Sequence, residues 1–151
     1  MTEKEKAAQL FIEGYNCSQS VFTAFCHRFG IDEETAKTIS AGLGGGVGRQ
    51  REVCGAVSAA AMVLGCIVAP TDGGDSKSKT QNYELVREFS EKFSQIHGSI
   101  ICRDMLKGME KNKNAVPDER TAEYYKNRPC LKAVEDAAEI LMQMIDGHQN
   151  K

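Results

Sequence analysis

Six cysteines, at positions 17, 26, 54, 66, 102 and 130, are the residues of this 151-residue chain best suited to chemistry. A thiolate binds soft metals or attacks a disulfide sulfur, and neither reaction is open to a neutral thiol. No two of the six form a C-x-x-C pair. That excludes the usual dithiol oxidoreductase signature, the zinc knuckle and the covalent haem attachment motif. Any site these thiols share must therefore be assembled by the fold.

The elements that would assemble it read as helices, with no convincing alternating strand. Ala7, Leu10 and Phe11 recur at helical spacing over residues 3–13, with Gly14 as the stop. Asn16 caps the next helix and Gln19 completes a variant capping box, the apolar positions running through Val21, Phe22, Phe25 and Phe29 to Gly30. Asp32 caps a third helix, which ends at the glycine-rich stretch 42–48. Residues 53–70 carry no charge over 18 positions, near the lower limit for a membrane span. Gly, Ala, Ser58 and two cysteines within the run instead favour a buried central helix. After a loop at 69–79 comes an amphipathic helix from about Thr80 to Ile96, its apolar positions Tyr83, Val86, Phe89, Phe93 and Ile96. Ser99 is the expected cap of a short helix, and residues 108–129 read as a polar surface excursion with at most a short helix of its own. A last helix starts near Pro129 and buries Leu131, Val134, Ala138, Leu141 and Ile145. The expected architecture is all-α: one helical domain over residues 1–151, bundled around the central Ala/Gly-rich helix.

Seen against these elements, the cysteines fall into two groups. Cys17, Cys102 and Cys130 lie in first turns of helices, and Cys54 stands close to the start of the central one. Free N–H groups and a partial positive charge at a helix start favour the thiolate. Cys26 and Cys66 lie later in their helices, where a free cysteine is expected simply to pack. On the central helix Cys54, Ser58, Ala61 and Gly65 share one face of small side chains, so another helix or a prosthetic group could come close to the sulfur.

Other candidates carry weaker signals. The glycines at 42–48 resemble a phosphate-binding loop, but no strand precedes them and no Gly-Lys-Ser/Thr follows, so they are expected to serve a sharp turn or a close backbone approach. Arg49 and Arg51 flank Cys54 and could lower its pKa, and His97 could ligate a metal or move a proton. A net charge of −2 leaves no basic excess for nucleic acid. The opening residues MTEKEKAAQLF lack the apolar core of a secretory signal, which points to the cytoplasm. A bundle of this size could leave apolar surface for a homodimer.

These segments resemble a known family, the small redox-active proteins named for their cysteine pattern, C_GCAxxG_C_C. The resemblance runs from NCSQSV at 16–21, through GGGVGRQREVCGAVSAAAMVLG and REFSEKFSQIHGSIICRDML, to Cys130 and VEDAAEIL. It implies that Cys17, Cys54, Cys102 and Cys130 are the family's four characteristic cysteines, and one departure is Ala59 where the motif has its second glycine. It also implies oxidoreductase or transporter contexts and a prosthetic group such as an iron–sulfur cluster, with similarity to the non-haem part of split-Soret cytochromes. The leading expectation is electron transfer through a cluster held by the four thiolates, which would work with a redox partner protein. The alternatives are a metal-free thiol/disulfide redox protein using the same four cysteines, and a four-cysteine zinc site or a helical interaction module with no redox role.

Overall fold

The computed structural model describes residues 1–110 and 114–149, and those residues form the all-α architecture the pattern predicts. The helices are α1 (Glu3–Ile12), α2 (Cys17–Phe25), α3 (Glu33–Ser40), α4 (Gly55–Ile67), α5 (Ser76–His97), α6 (Cys102–Leu106), α7 (Ala122–Asn127) and α8 (Cys130–Gln149). Short 3-10 turns continue α2 over Cys26–Phe29 and α3 over Ala41–Leu43. Thr2 and Asn16 each close a capping box, and Asp32 and Asp75 accept from the backbone of the first turns of α3 and α5. Among the described residues no helix is long and apolar enough to cross a membrane.

One apolar core joins α1, α2, α4, α5 and α8. Its largest fully buried side chains are the phenylalanines Phe11, Phe22, Phe25, Phe89 and Phe93. The central helix α4 lies in this core as expected, but it presents a different face. Ala56, Ala59, Ala60 and Val63 are wholly buried, whereas Ser58, Ala61 and Gly65 are only half-buried. Small side chains on the buried face let α2 approach, because a helix axis can come nearer where no long side chain holds it off. Ala59, at the position of the missing glycine, is 0% exposed. On α4 itself the close backbone approach falls at Gly55: a Cβ there would meet the Leu43 carbonyl oxygen at 3.0 Å and the Ser18 amide nitrogen at 3.1 Å.

Three other expectations change. Helix α5 begins at Ser76, four residues before Thr80, because the Asp75 side chain accepts from the Ser78 amide and supplies the cap. Its buried seam is narrower than expected: Phe89 and Phe93 are buried, while Tyr83 and Ile96 are 63% and 56% exposed. Ser99 does not cap α6. Its hydroxyl accepts from the Ile101 amide and donates to Asp104, and Ile101 occupies the cap position.

The glycine-rich stretch is a left-handed turn. Residues 45–49 all have positive φ, as does Arg51. Amides of Gly48, Arg51 and Glu52 donate back to the carbonyls of Gly42, Gly45 and Gly46, which closes the coil. Val47, Arg49 and Arg51 adopt this conformation with side chains attached, at about 1–2 kcal/mol each. Glycine is required at 46, where φ is +74° and a Cβ would lie 2.6 Å from the Glu52 nitrogen and 2.8 Å from the Cys102 Cβ. The coil thus lies directly beneath a cysteine.

Candidate functional site

Each of the four cysteines selected by helix position stands at the start of an element. Cys17 follows Asn16, whose side chain accepts from the Gln19 amide and donates to the Ala41 carbonyl. Ser18 donates to the Ser40 carbonyl at 2.7 Å, so the start of α2 is fastened to the end of α3. Cys54 is the N-cap residue of α4, and Cys130 opens α8 directly after Pro129, whose carbonyl accepts from Ala133 at 2.8 Å.

Cys102 and Cys54 are tied to each other by backbone. A single antiparallel bridge pairs Val53 with Ile101. Around it the Cys54 amide donates to the Ile100 carbonyl at 2.8 Å and the Cys102 amide to the Glu52 carbonyl at 2.7 Å. Side chains alternate sides along such a bridge, so Cys54 and Cys102 fall on the side opposite Val53 and Ile101.

All four thiols line one cavity of about 330 Å³. Cys26 and Cys66 do not: Cys26 is packed in the core, and Cys66 is exposed, against the expectation that it too would pack. The small-residue face at Ser58, Ala61 and Gly65 does not line the cavity either. Glycines 44, 46 and 55 leave bare backbone in its wall beside the sulfurs.

The thiols are not equivalent. Interaction with the Cys17 thiol, together with the Arg128 guanidinium and the Tyr124 hydroxyl, holds the Cys130 thiol down at about 7 against the opposing effect of burial. Cys17 is raised well above the ordinary thiol value by the same interaction and by burial. Burial pushes Cys54 up to about 12. Burial also raises Cys102, against the pull of Arg51, whose Nη1 lies 3.7 Å from the Cys102 sulfur. Position at a helix start therefore does not by itself lower a thiol. Desolvation outweighs it at Cys54 and Cys102, the interaction with Cys130 together with burial outweighs it at Cys17, and Cys130 escapes because polar groups and cations converge on it.

Tyr124 and Arg128 come from the polar segment expected to be mere surface. Arg120 donates to the carbonyls of Phe11 and Tyr15 and sits 4.2 Å over the Phe11 ring, which docks the segment on α1. Docking brings Asp118, Tyr124 and Arg128 into the cavity wall. Asp118 accepts from Arg128 at 2.9 Å and pairs with Arg49 at 3.3 Å. Burial works against its charge, yet the two arginines hold its carboxyl below the usual range. No periodicity marks residues 115–129, so the sequence signal for these positions is limited to their charged and aromatic types. His97, by contrast, lies outside the cavity, 2.9 Å from buried Asp136 and stacked on Phe93.

The donor set bears on what the cavity could hold. Among the described residues, no group of three or more His, Cys, Asp or Glu side chains is placed to hold a metal ion. A mononuclear zinc centre would need every sulfur about 2.3 Å from one point. A polynuclear cluster spreads its thiolates over a wider volume, and four thiols about one cavity fit that ligand number.

The fold and the cavity together define a small all-α protein that presents four thiols to one half-open cavity. The family model described as "Putative redox-active protein (C_GCAxxG_C_C)" matches residues 15–144, and the chain belongs to that family of redox-active proteins. No curated protein and no solved structure matches it.

Proposed function

We propose that the protein is a thiol/disulfide redox protein in which Cys130 is the attacking thiol and Cys17 its partner. The observation that carries this reading is a cavity lined by four thiols, among which Cys17 and Cys130 influence each other's ionisation most strongly. That coupling leaves Cys130 the readiest of the four to ionise. The oxidant is a disulfide RS–SR. Cys130 thiolate attacks one of its sulfurs, the S–S bond breaks, and RS⁻ leaves while a mixed disulfide forms on Cys130. The Cys17 sulfur then attacks the Cys130 sulfur, its proton goes to the departing thiolate, and a Cys17–Cys130 disulfide forms with loss of RSH. Two electrons pass from the protein to the substrate, and a redox partner protein restores the dithiol. A reducing compartment such as the cytoplasm would keep the pair ready. Cys54 and Cys102, protonated near neutral pH, form a reserve dithiol in the same cavity.

A second reading is favoured by a separate observation, the bare glycine backbone and arginines that surround the four sulfurs. Cys17, Cys54, Cys102 and Cys130 would hold an iron–sulfur cluster there, with Arg51 and Arg128 offsetting its negative charge. The cluster would supply one-electron transfer.

Anaerobic purification followed by iron, sulfide, zinc and thiol analysis separates the two. On adding hydroxyethyl disulfide, the thiol/disulfide reading expects a Cys17–Cys130 bond by peptide mapping, and a Cys17→Ser variant expects a mixed disulfide trapped on Cys130. Stoichiometric iron and sulfide that vanish in Cys54→Ser would replace it with the cluster reading.

A further inference from the structure

We infer that the cavity binds the carboxylate of a small anionic disulfide or thiol, received by Arg51, and this inference rests on the thiol/disulfide reading above. Arg51 is only 9% exposed and lines the cavity. Its Nη1 faces the Cys102 sulfur. Its Nε and Nη2 have no hydrogen-bond partner, and the nearest carboxylate oxygen, of Asp118, is 3.7 Å from Nη2. Nε and Nη2 lie on one edge of the planar guanidinium and form a two-donor fork, the geometry that matches a carboxylate in a bidentate pair. A buried charged group with two unmade hydrogen bonds is unstable unless something supplies acceptors.

The protein itself does not supply them. Asp118 is the one carboxylate lining the cavity among the described residues, and it is already held by Arg128 at 2.9 Å and Arg49 at 3.3 Å. Arg120 is committed to two backbone carbonyls. The strained left-handed coil at 45–51 fixes where the Arg51 side chain starts, so the guanidinium is a buried, positioned group rather than a mobile surface arginine. A volume of about 330 Å³ lies at the small end of ligand pockets. It suits a molecule of a few heavy atoms, with a sulfur for the thiols and a carboxylate for Arg51.

The test compares alkylation by iodoacetate and iodoacetamide at one fixed pH, so that the thiolate fraction cancels in the ratio of rates. Relative to free cysteine, wild type should favour the anionic reagent by about tenfold, the size of one charge-assisted hydrogen bond. Arg51→Gln should abolish the preference, Arg51→Lys should keep part of it, and Arg87→Gln, an exposed arginine on α5, should leave it intact. In wild type, malonate should slow iodoacetate and spare iodoacetamide, a result that does not depend on any variant folding. A ratio equal to that of free cysteine, together with no effect of malonate, overturns the inference. Exchange with dithiodiglycolate and with neutral hydroxyethyl disulfide separates it from the redox reading. Equal rates on both remove the anion site and leave the redox reading standing. Anion preference in alkylation without exchange on either retains the site and removes the redox reading.

Discussion

At the scale of single residues, Cys130 is distinguished by its neighbours rather than by its place in the chain. An ordinary thiol ionises near 9.0, and Cys130 is held near 7 chiefly by the Cys17 thiol. Lowering the value means the thiolate is present at lower pH, so alkylation of Cys130 by iodoacetamide should rise with a midpoint close to pH 7. Removing that thiol in Cys17→Ala should move that midpoint upward by about one unit, in line with the loss of a polar interaction with a charged group. Tyr124→Phe should move it in the same direction by less, because the Tyr124 hydroxyl ranks behind Cys17 and Arg128 among the influences on the thiol. A midpoint unmoved in Cys17→Ala would mean that the Cys17 interaction does not set the reactivity. The positions of the four cysteines were legible from helix starts. Which of them ionises was not, because Tyr124 and Arg128 reach the cavity from a segment with no periodic pattern.

At the scale of elements, the cavity depends on the left-handed coil that supports the bridge between residues 51–54 and 100–103. Gly46→Ala puts a methyl group against the Glu52 nitrogen and the Cys102 Cβ at a φ of +74°. It should lower stability by roughly 2–4 kcal/mol and disturb the reactivity of Cys102 and Cys54 as well. Gly65→Ala is the matched contrast: it lies inside α4 with nothing within 4 Å of the added Cβ. That change should stabilise the protein by about 0.5–1 kcal/mol, the ordinary gain from replacing glycine within a helix. Urea unfolding of the two variants reads both, and a Gly46→Ala protein as stable as wild type would show that the coil can shift without loss. The sequence marks residues 42–48 as a sharp turn or close approach. The left-handed winding appears only in structure, because Val47, Arg49 and Arg51 ordinarily avoid positive φ and are held there by the coil's own backbone hydrogen bonds and by Asp118, which pairs with both arginines.

At the scale of the whole molecule, one apolar core holds the four thiol-bearing ends in register. Phe93, fully buried and stacked at 5.9 Å on Phe89 and at 4.6 Å on His97, ties α5 into that core. Phe93→Ala should cost about 3–5 kcal/mol by equilibrium unfolding, and a loss under 1 kcal/mol would mean that α5 contributes little to the fold. Sequence by itself determined the helical class, most helix starts and the four candidate cysteines, because capping and hydrophobic periodicity are local and act over three or four residues. It misjudged Tyr83, Ile96, Cys66 and the inner face of α4, where periodicity marks an apolar stripe but not which part of it a neighbour covers. Only the tertiary structure brought Cys17 and Cys130 into one cavity, laid the polar segment over it and left the Arg51 fork without an acceptor. These are contacts between residues far apart in the chain, and desolvation and charge at such contacts depend on what surrounds a group in space rather than on what precedes it in sequence.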